Sequence, residues 1–463
     1  MDLTGKNILI LGMGLSGRQA CRLALKFAAT VYLADSRSEE QVKGQLDQGF
    51  FEEAKLELLY GAGEDSLRAL SVSFDYIVIS PGLSPESEFG RFAQAYSCPV
   101  LSELDFASAF IPTPLITVTG TNGKTTTVEL LTHLLKSANY KVESAGNIGL
   151  ALSDIAYDEA YRDLDFVIVE ASSYQLENLH FYKSQASALL NISSDHCDRY
   201  SGESEYFLTK LKLLDVTEKG KFLIGEKLLS RSDFPRSAEG KILSFRHKDS
   251  ESLGKSAILL DEDRLELNGD SFVLPADMTE SLKAPHNLEN LAVALGLANF
   301  VGVPVKSLLG ALRTFRLSPH RIELFAERSG RSFVDDSKAT NPDAVIQALK
   351  SFPSHEGKIR LILGGVSKDM DFSTLPESFS VVKKLYFYGR DGEFLERQLA
   401  KDFDSIFDED FKLCVGRALA ESDEGDLVLL SPACASFDQF ASYEKRGECF
   451  KDLCLNYEFI SCS

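Results

Sequence analysis

The six residues Gly120-Thr121-Asn122-Gly123-Lys124-Thr125 stand between an apolar run, LITVT, and a stretch with helical spacing, VELLTHLLKS. Two glycines let backbone N–H groups turn toward one point, the N-terminus of the following helix favours an anion there, Lys124 brings a cation, and the Thr125 hydroxyl brings a metal-binding oxygen. That is the chemistry of a triphosphate cradle, and Thr126 completes its first helical turn. The spacing is a shortened form of the pattern G-x-x-x-x-G-K-[ST], because Val118 stands where the first glycine belongs. The plainer alternative is a strand-turn-helix corner with a solvent-facing lysine, and so apolar a preceding strand argues against it.

A second glycine-rich turn lies earlier in the chain. The segment ILILGMGLSGRQACRLAL (8–25) carries Gly12, Gly14 and Gly17 out of a strand and into a helix, and Asp35 closes the next apolar run, TVYLAD. This is the dinucleotide-binding fingerprint. Alone it leaves three readings open: an NAD-dependent oxidoreductase, a site for another nucleotide, or close packing without a ligand.

Acidic groups follow apolar strands in the same way. Glu170 ends FVIV, and Asp195, His196 and Asp198 follow SALLNIS. In an open α/β sheet the carboxyl ends of strands face the ligand, so Glu170 is expected to hold Mg²⁺ near a triphosphate, and His196 is a metal candidate between two acids. An exposed loop glutamate and a structural histidine are the commoner fates of these residue types, and position alone argues for ligation.

These groups need elements to carry them. Short apolar runs alternate with helical patterns along all 463 residues, which is the signature of parallel sheets covered by helices. Three blocks separate, and the expected fold is α/β with three domains: Rossmann-like over 1–110, P-loop-type mononucleotide-binding over 111–317, and Rossmann-like over 318–463. Within the middle block, AILLDEDRLELNGDSFVLP alternates around an Asn-Gly turn and predicts a small antiparallel insert. With 49 basic against 69 acidic residues the formal net charge is -20, so neither a nucleic acid nor a membrane is an expected partner, and any anion must be met by local design. The opening MDLTGKNILILG lacks a signal-peptide pattern, and no run approaches the length of a membrane span, so the cytoplasm is the expected location. Eight scattered cysteines without a C-x-x-C pair read as reduced thiols, with Cys434 a small packing residue.

The motifs TGTNGKTTT, VEASSYQLE, NISSDHCDRY, PHNLENLAVAL, SPHRIELF, VDDSKATNPDA, GGVSKDMDF and LLSPACASFDQF occur in order along the chain. Together with GMGLSG this set resembles the Mur ligases over nearly the whole length. The resemblance implies an ATP-dependent amide ligase of peptidoglycan precursor synthesis, working through an acyl phosphate, and acting on UDP-N-acetylmuramoyl-L-alanine and D-glutamate as a monomer. Two cradles then serve two nucleotides, UDP in the first domain and ATP in the second.

By the same resemblance, Leu15, Ser16, Asp35, Ser36, Arg37, Gly82 and Asn147 line the UDP-sugar site. Gly120 to Thr126, Asn287, Asn290, Arg321 and Asp336 contact ATP. Thr125, Glu170, His196 and a carbamylated lysine hold two Mg²⁺ ions, and Lys124, Glu170, His196 and that lysine are the catalytic set. The modified lysine is placed at Lys210, four residues after Tyr206, with Lys212 as the alternative two positions on. Lys338, Thr340, Lys368, Ser436 and Tyr443 meet D-glutamate, with tyrosine at 443 where the family has phenylalanine. Another ligase of the superfamily, such as a folylpolyglutamate synthetase or the L-alanine-adding enzyme, an NAD-dependent oxidoreductase, and a nonenzymatic nucleotide-binding regulator are the competing readings.

Overall fold

The computed structural model describes residues 1–43, 55–193, 199–235, 237, 242–247, 258–261, 263–267, 269–367 and 370–459. The apolar runs form the strands of parallel sheets, whose central members are buried on both faces and whose edges are partly exposed. In the first sheet these are β1 (Asn7–Leu11), β2 (Thr30–Ala34), β3 (Leu56–Leu59), β4 (Tyr76–Ile79) and β5 (Val100–Ser102), all parallel in the order β3-β2-β1-β4-β5. The order reverses between β1 and β4, and the first glycine turn leaves β1 at that switch point, where such sheets bind ligands.

The second sheet contains β6 (Leu115–Thr119), β7 (Val142–Gly146), β8 (Phe166–Glu170), β9 (Ala186–Leu189), β10 (Phe222–Gly225), β11 (Ile242–His247), β12 (Ile258–Leu260), β13 (Arg264–Leu267) and β14 (Asp270–Val273). Their order is β14-β13-β12-β11-β10-β9-β6-β8-β7, with β6 flanked by β8 and β9. The antiparallel segment expected as a small insert is an extension of this sheet: β12 pairs with β11 in parallel, and β13 runs antiparallel between β12 and β14. Asn268 of its turn lies outside the described residues.

The third sheet has β15 (Glu323–Arg328), β16 (Arg331–Asp335), β17 (Ile359–Gly364), β18 (Val382–Tyr388), β19 (Ser405–Asp408) and β20 (Leu427–Ala433), in the order β15-β16-β20-β17-β18-β19. Five of its strands are parallel, and β15 closes one edge antiparallel. The chain divides into two compact units, one holding the first two sheets and one built on Arg316–Ser463.

Asp105 helps make the first unit one body. Its buried Oδ1 accepts the N–H groups of His180, Phe181 and Tyr182 at 2.8–2.9 Å, tying the helix Glu103–Ser108 behind the first sheet to a loop of the second. Three backbone donors met by one carboxylate oxygen make a joint that admits little local motion.

The third glycine of the first turn is required by space. A Cβ on Gly17 would stand 1.9 Å from the Gly12 carbonyl oxygen, a backbone atom that cannot swing aside. Gly17→Ala should therefore push the helix Leu15–Lys26 off β1 and lower stability by roughly 1–3 kcal/mol or more. A thermal midpoint equal to wild type would show that the helix does not pack as described.

Candidate active site

The loop that leaves β6 has Gly120 at φ 153° and Gly123 at φ 83°, and Gly123 caps the helix Lys124–Ser137. Gly123 also fits because a Cβ there would lie 2.4 Å from Oδ1 of Asn290. The loop is braced from β9. Asn191, two residues past that strand, accepts the Asn122 N–H at 2.8 Å and donates back to the Asn122 carbonyl at 3.1 Å, while its own carbonyl accepts Thr121 N–H at 3.0 Å. Sequence reasoning missed Asn191, although its place just after the apolar run SALL, in the motif NISSDH, marks it as a strand-end residue.

Two lysines converge on the loop. Lys124 Nζ donates to the carbonyls of Gly120 (2.9 Å) and Thr121 (2.8 Å). Lys210, on the helix Glu203–Leu211, is buried and also donates to the Gly120 carbonyl, at 3.0 Å, with its ammonium 4.6 Å from the centre of the Tyr206 ring. Lys212 is exposed and donates to the Glu177 carbonyl instead.

On the other side of β6, Glu170 is buried at the end of β8. Its Oε2 accepts the Thr125 hydroxyl at 2.8 Å and its Oε1 accepts the Asn147 amide at 2.9 Å, so the structure brings Thr125, Glu170 and Asn147 together. Among the described residues no lysine or arginine pairs with this carboxylate. A hydroxyl and a buried carboxylate short of positive charge form an oxygen donor set that fits Mg²⁺. His196 lies outside the described residues. Asn287 and Asn290 share a face of the helix Pro285–Phe300: Asn290 Nδ2 donates to Asn287 Oδ1 at 3.2 Å, and Asn290 Oδ1 accepts the Thr127 hydroxyl at 3.2 Å.

The first turn makes a different site. Asp35 Oδ2 accepts Met13 N–H (2.7 Å) and Arg37 Nη2 (2.9 Å), and Oδ1 accepts Arg37 N–H (3.0 Å) and Nε (2.9 Å). Burial works to raise the Asp35 carboxyl, but the Arg37 side chain and the two backbone donors outweigh it and bring the carboxyl down to about 2. All four acceptor positions are filled, so the ribose hydroxyls that an NAD site offers to this aspartate would have to displace a partner. Leu15 is exposed at the helix start, and Gly82 faces open space. Ser16 and Ser36 belong to the same two strand-end segments.

In the second unit Arg321 follows His320 in a left-handed turn, with φ 66° at His320 and 45° at Ile322. Asp336, just past β16, accepts the Ser431 hydroxyl at 2.7 Å and Ile322 N–H at 3.2 Å. Lys338 lies over the Tyr443 ring, 3.8 Å from its centre, and Thr340 and the buried Ser436 follow β16 and β20. Lys368 lies outside the described residues. Cys434 is buried, and burial pushes its thiol far up, as suits a packing residue.

Fold and site together define an α/β nucleotide-binding enzyme of the phosphate-loop class. Residues 118–298 match the Mur ligase middle domain and 320–434 the Mur ligase glutamate ligase domain. The chain is 35% identical to a UDP-N-acetylmuramoylalanine--D-glutamate ligase of Pelotomaculum thermopropionicum, covering 98% of both chains. It is 34% identical to one of Acidobacterium capsulatum, covering 98% of this chain and 97% of the other. Among solved structures it is similar to the MurF ligase from Thermotoga maritima in complex with ADP, with a TM-score of 0.60 at 16% identity over 98% of this chain and 95% of that one. It is also similar to a pseudomurein peptide ligase type C from Methanothermus fervidus, with a TM-score of 0.59 at 15% identity over 97% of this chain and all of that one. The chain belongs to the Mur ligase family, in its UDP-N-acetylmuramoylalanine--D-glutamate ligase branch.

Burial pushes the Asp336 carboxyl up to about 7 from an ordinary 3.8. The folded chain thus keeps a proton there up to about pH 7 that the unfolded chain loses near pH 4, and this group's contribution to stability falls as pH rises between those values. Paired thermal melts of wild type and Asp336→Asn should show wild type losing ground to the variant between pH 5 and pH 8. A constant difference would mean that Asp336 titrates normally.

Proposed function

We propose that this chain joins the lactoyl-alanine carboxylate of UDP-N-acetylmuramoyl-L-alanine to the amine of D-glutamate, with ATP converted to ADP and phosphate. The observation that carries this reading is the 35% identity to a ligase of that specificity over 98% of both chains. The intact triphosphate cradle supports it, and the filled acceptor positions of Asp35 count against a dinucleotide reading.

The γ-phosphoryl group passes from ATP to a carboxylate oxygen of the UDP-sugar peptide, and ADP leaves. The glutamate amine then attacks the acyl carbon, loses a proton to solvent, and expels inorganic phosphate as the amide forms. The work is largely electrostatic, since three anions must be brought together. The loop Gly120 to Thr126 holds the phosphates, chiefly through N–H groups at the start of its helix and the Lys124 ammonium, while Thr121 and Asn122 are braced by Asn191; Asn287, Asn290, Arg321 and Asp336 take the rest of ATP. Leu15, Ser16, Asp35, Ser36, Arg37 and Gly82 take the UDP moiety, and Asn147 faces the substrate from the end of β7. Lys338, Thr340, Lys368, Ser436 and Tyr443 take D-glutamate. Mg²⁺, when bound, neutralises triphosphate charge as a Lewis acid, and Thr125, Glu170, His196 and a carbamylated Lys210 would hold two ions. The domains are proposed as 1–110, 111–317 and 318–463, in a cytoplasmic monomer. Among the described residues no helix is long and apolar enough to cross a membrane.

Lys210 suits carbamylation better than Lys212. Lys210 is buried against the phosphate loop with its amine on the Gly120 carbonyl, where a carbamate would stand beside the metal site, whereas Lys212 is exposed and turned to the Glu177 carbonyl. A coupled assay of ADP release tests the function: turnover should require the UDP-sugar peptide, D-glutamate and ATP together, and turnover with either acceptor omitted, or hydride transfer with NAD, would overturn it. In the same assay Lys210→Ala should lose activity by about a hundredfold or more and regain part of it with small carboxylic acids, whereas Lys212→Ala stays within about threefold of wild type. The reverse order would move the modified position to Lys212.

A further inference from the structure

The side chain of Arg446, in the first turns of the helix Tyr443–Asn456, is fully buried. Among the described residues it forms no ion pair. Its Nε donates to Ser337 Oγ (2.9 Å), Nη2 to the Ser337 carbonyl (2.7 Å), and Nη1 to Tyr388 Oη (2.9 Å) and the Cys434 carbonyl (3.0 Å). Every acceptor is neutral. Each also stands at the carboxyl end of a different strand: Ser337 two residues beyond β16, Tyr388 at the end of β18, and Cys434 first beyond β20. Ser337 Oγ passes the connection on by donating to the Tyr443 carbonyl at 2.8 Å.

One planar guanidinium therefore fastens three strand ends and a helix start, a task that its fixed fork of donors suits and a flexible ammonium does not. The neighbours of its contacts are the residues proposed for D-glutamate: Lys338 follows Ser337, Ser436 lies two past Cys434, and Tyr443 begins the same helix. A buried cation whose partners are all neutral leaves its charge felt in the surrounding low-dielectric region.

We propose that Arg446 is a positioning residue for the incoming amino acid: it locks the loops that carry Lys338, Ser436 and Tyr443, and its charge biases that site toward a dicarboxylate. The inference rests on the reading that the second unit binds D-glutamate.

The test is steady-state kinetics of ADP release by Arg446→Gln, Arg446→Lys and Ser337→Ala, with each substrate varied in turn. Arg446→Gln should raise the KM for D-glutamate about tenfold or more while those for ATP and the UDP-sugar peptide stay within about twofold, and Arg446→Lys, which keeps the charge, should recover part of the rise. Ser337→Ala, which removes one acceptor, should raise the D-glutamate KM about threefold, and it decides the matter if the glutamine variant does not fold. A lower kcat with unchanged D-glutamate KM, or an equal rise in all three KM values, would overturn the proposal. If wild type is not saturated by D-glutamate, the functional reading fails, and the same comparison with the amino acid that does support turnover judges Arg446 separately.

Discussion

Two ammonium groups, those of Lys124 and Lys210, donate to a single carbonyl, that of Gly120 at the end of β6. That carbonyl fixes both side chains against the phosphate loop, Lys124 as the cation of the cradle and Lys210 at the place where the proposed carbamate would turn to metal. A chain of net charge -20 must gather positive potential at one point to receive a triphosphate, and the carboxyl end of a parallel strand, with a helix N-terminus just beyond, is where the backbone already favours an anion. The flanking strands complete the arrangement. From β8 comes Glu170, held by Thr125 and Asn147, and past β9 comes Asn191, which returns two hydrogen bonds to Asn122. Charges of both signs thus stand on neighbouring strands, β6 and β8.

The two glycine-rich turns show how one backbone device serves different ligands. Both place a helix start over a strand end, and both need glycine for space. Their difference lies in the next side chains. After β6 a lysine and a threonine enter the helix, whereas after β1 the helix begins with exposed Leu15, and the acidic residue of the next strand is closed by Arg37. A carboxylate that already accepts four hydrogen bonds serves as a frame for its arginine rather than as a ribose acceptor.

The strand ends were the most legible part of this chain, because a parallel strand buried on both faces is written as an unbroken apolar run and its last polar residue points to the ligand edge. Glu170 and Asp35 were visible in that way, whereas Asp336 came only from the family resemblance. Lys210 was less so: two helix positions separate it from Lys212, a turn of about 200°, and only packing tells which face is buried. The segment near residue 270 was read as a small antiparallel insert; its antiparallel pairing is present, but its joining to β11 as part of the central sheet depends on a nonlocal pairing that alternation does not reveal. Arg446 left no signal, since a charged residue early in a helix normally faces water. Gly447 beside it is the physical clue, because a Cβ there would lie 2.2 Å from His320 Nδ1, and that closeness becomes apparent only in three dimensions.

In the proposed reaction the cradle after β6 delivers the γ-phosphoryl group to a carboxylate before the amide forms. The most direct measurement uses UDP-N-acetylmuramoyl-L-alanine labelled with ¹⁸O in both carboxylate oxygens, turned over with D-glutamate and ATP, with the released phosphate read by ³¹P NMR. Transfer through an acyl phosphate places one labelled oxygen in each inorganic phosphate and leaves the other in the amide. Unlabelled phosphate, or label appearing in AMP, would contradict it.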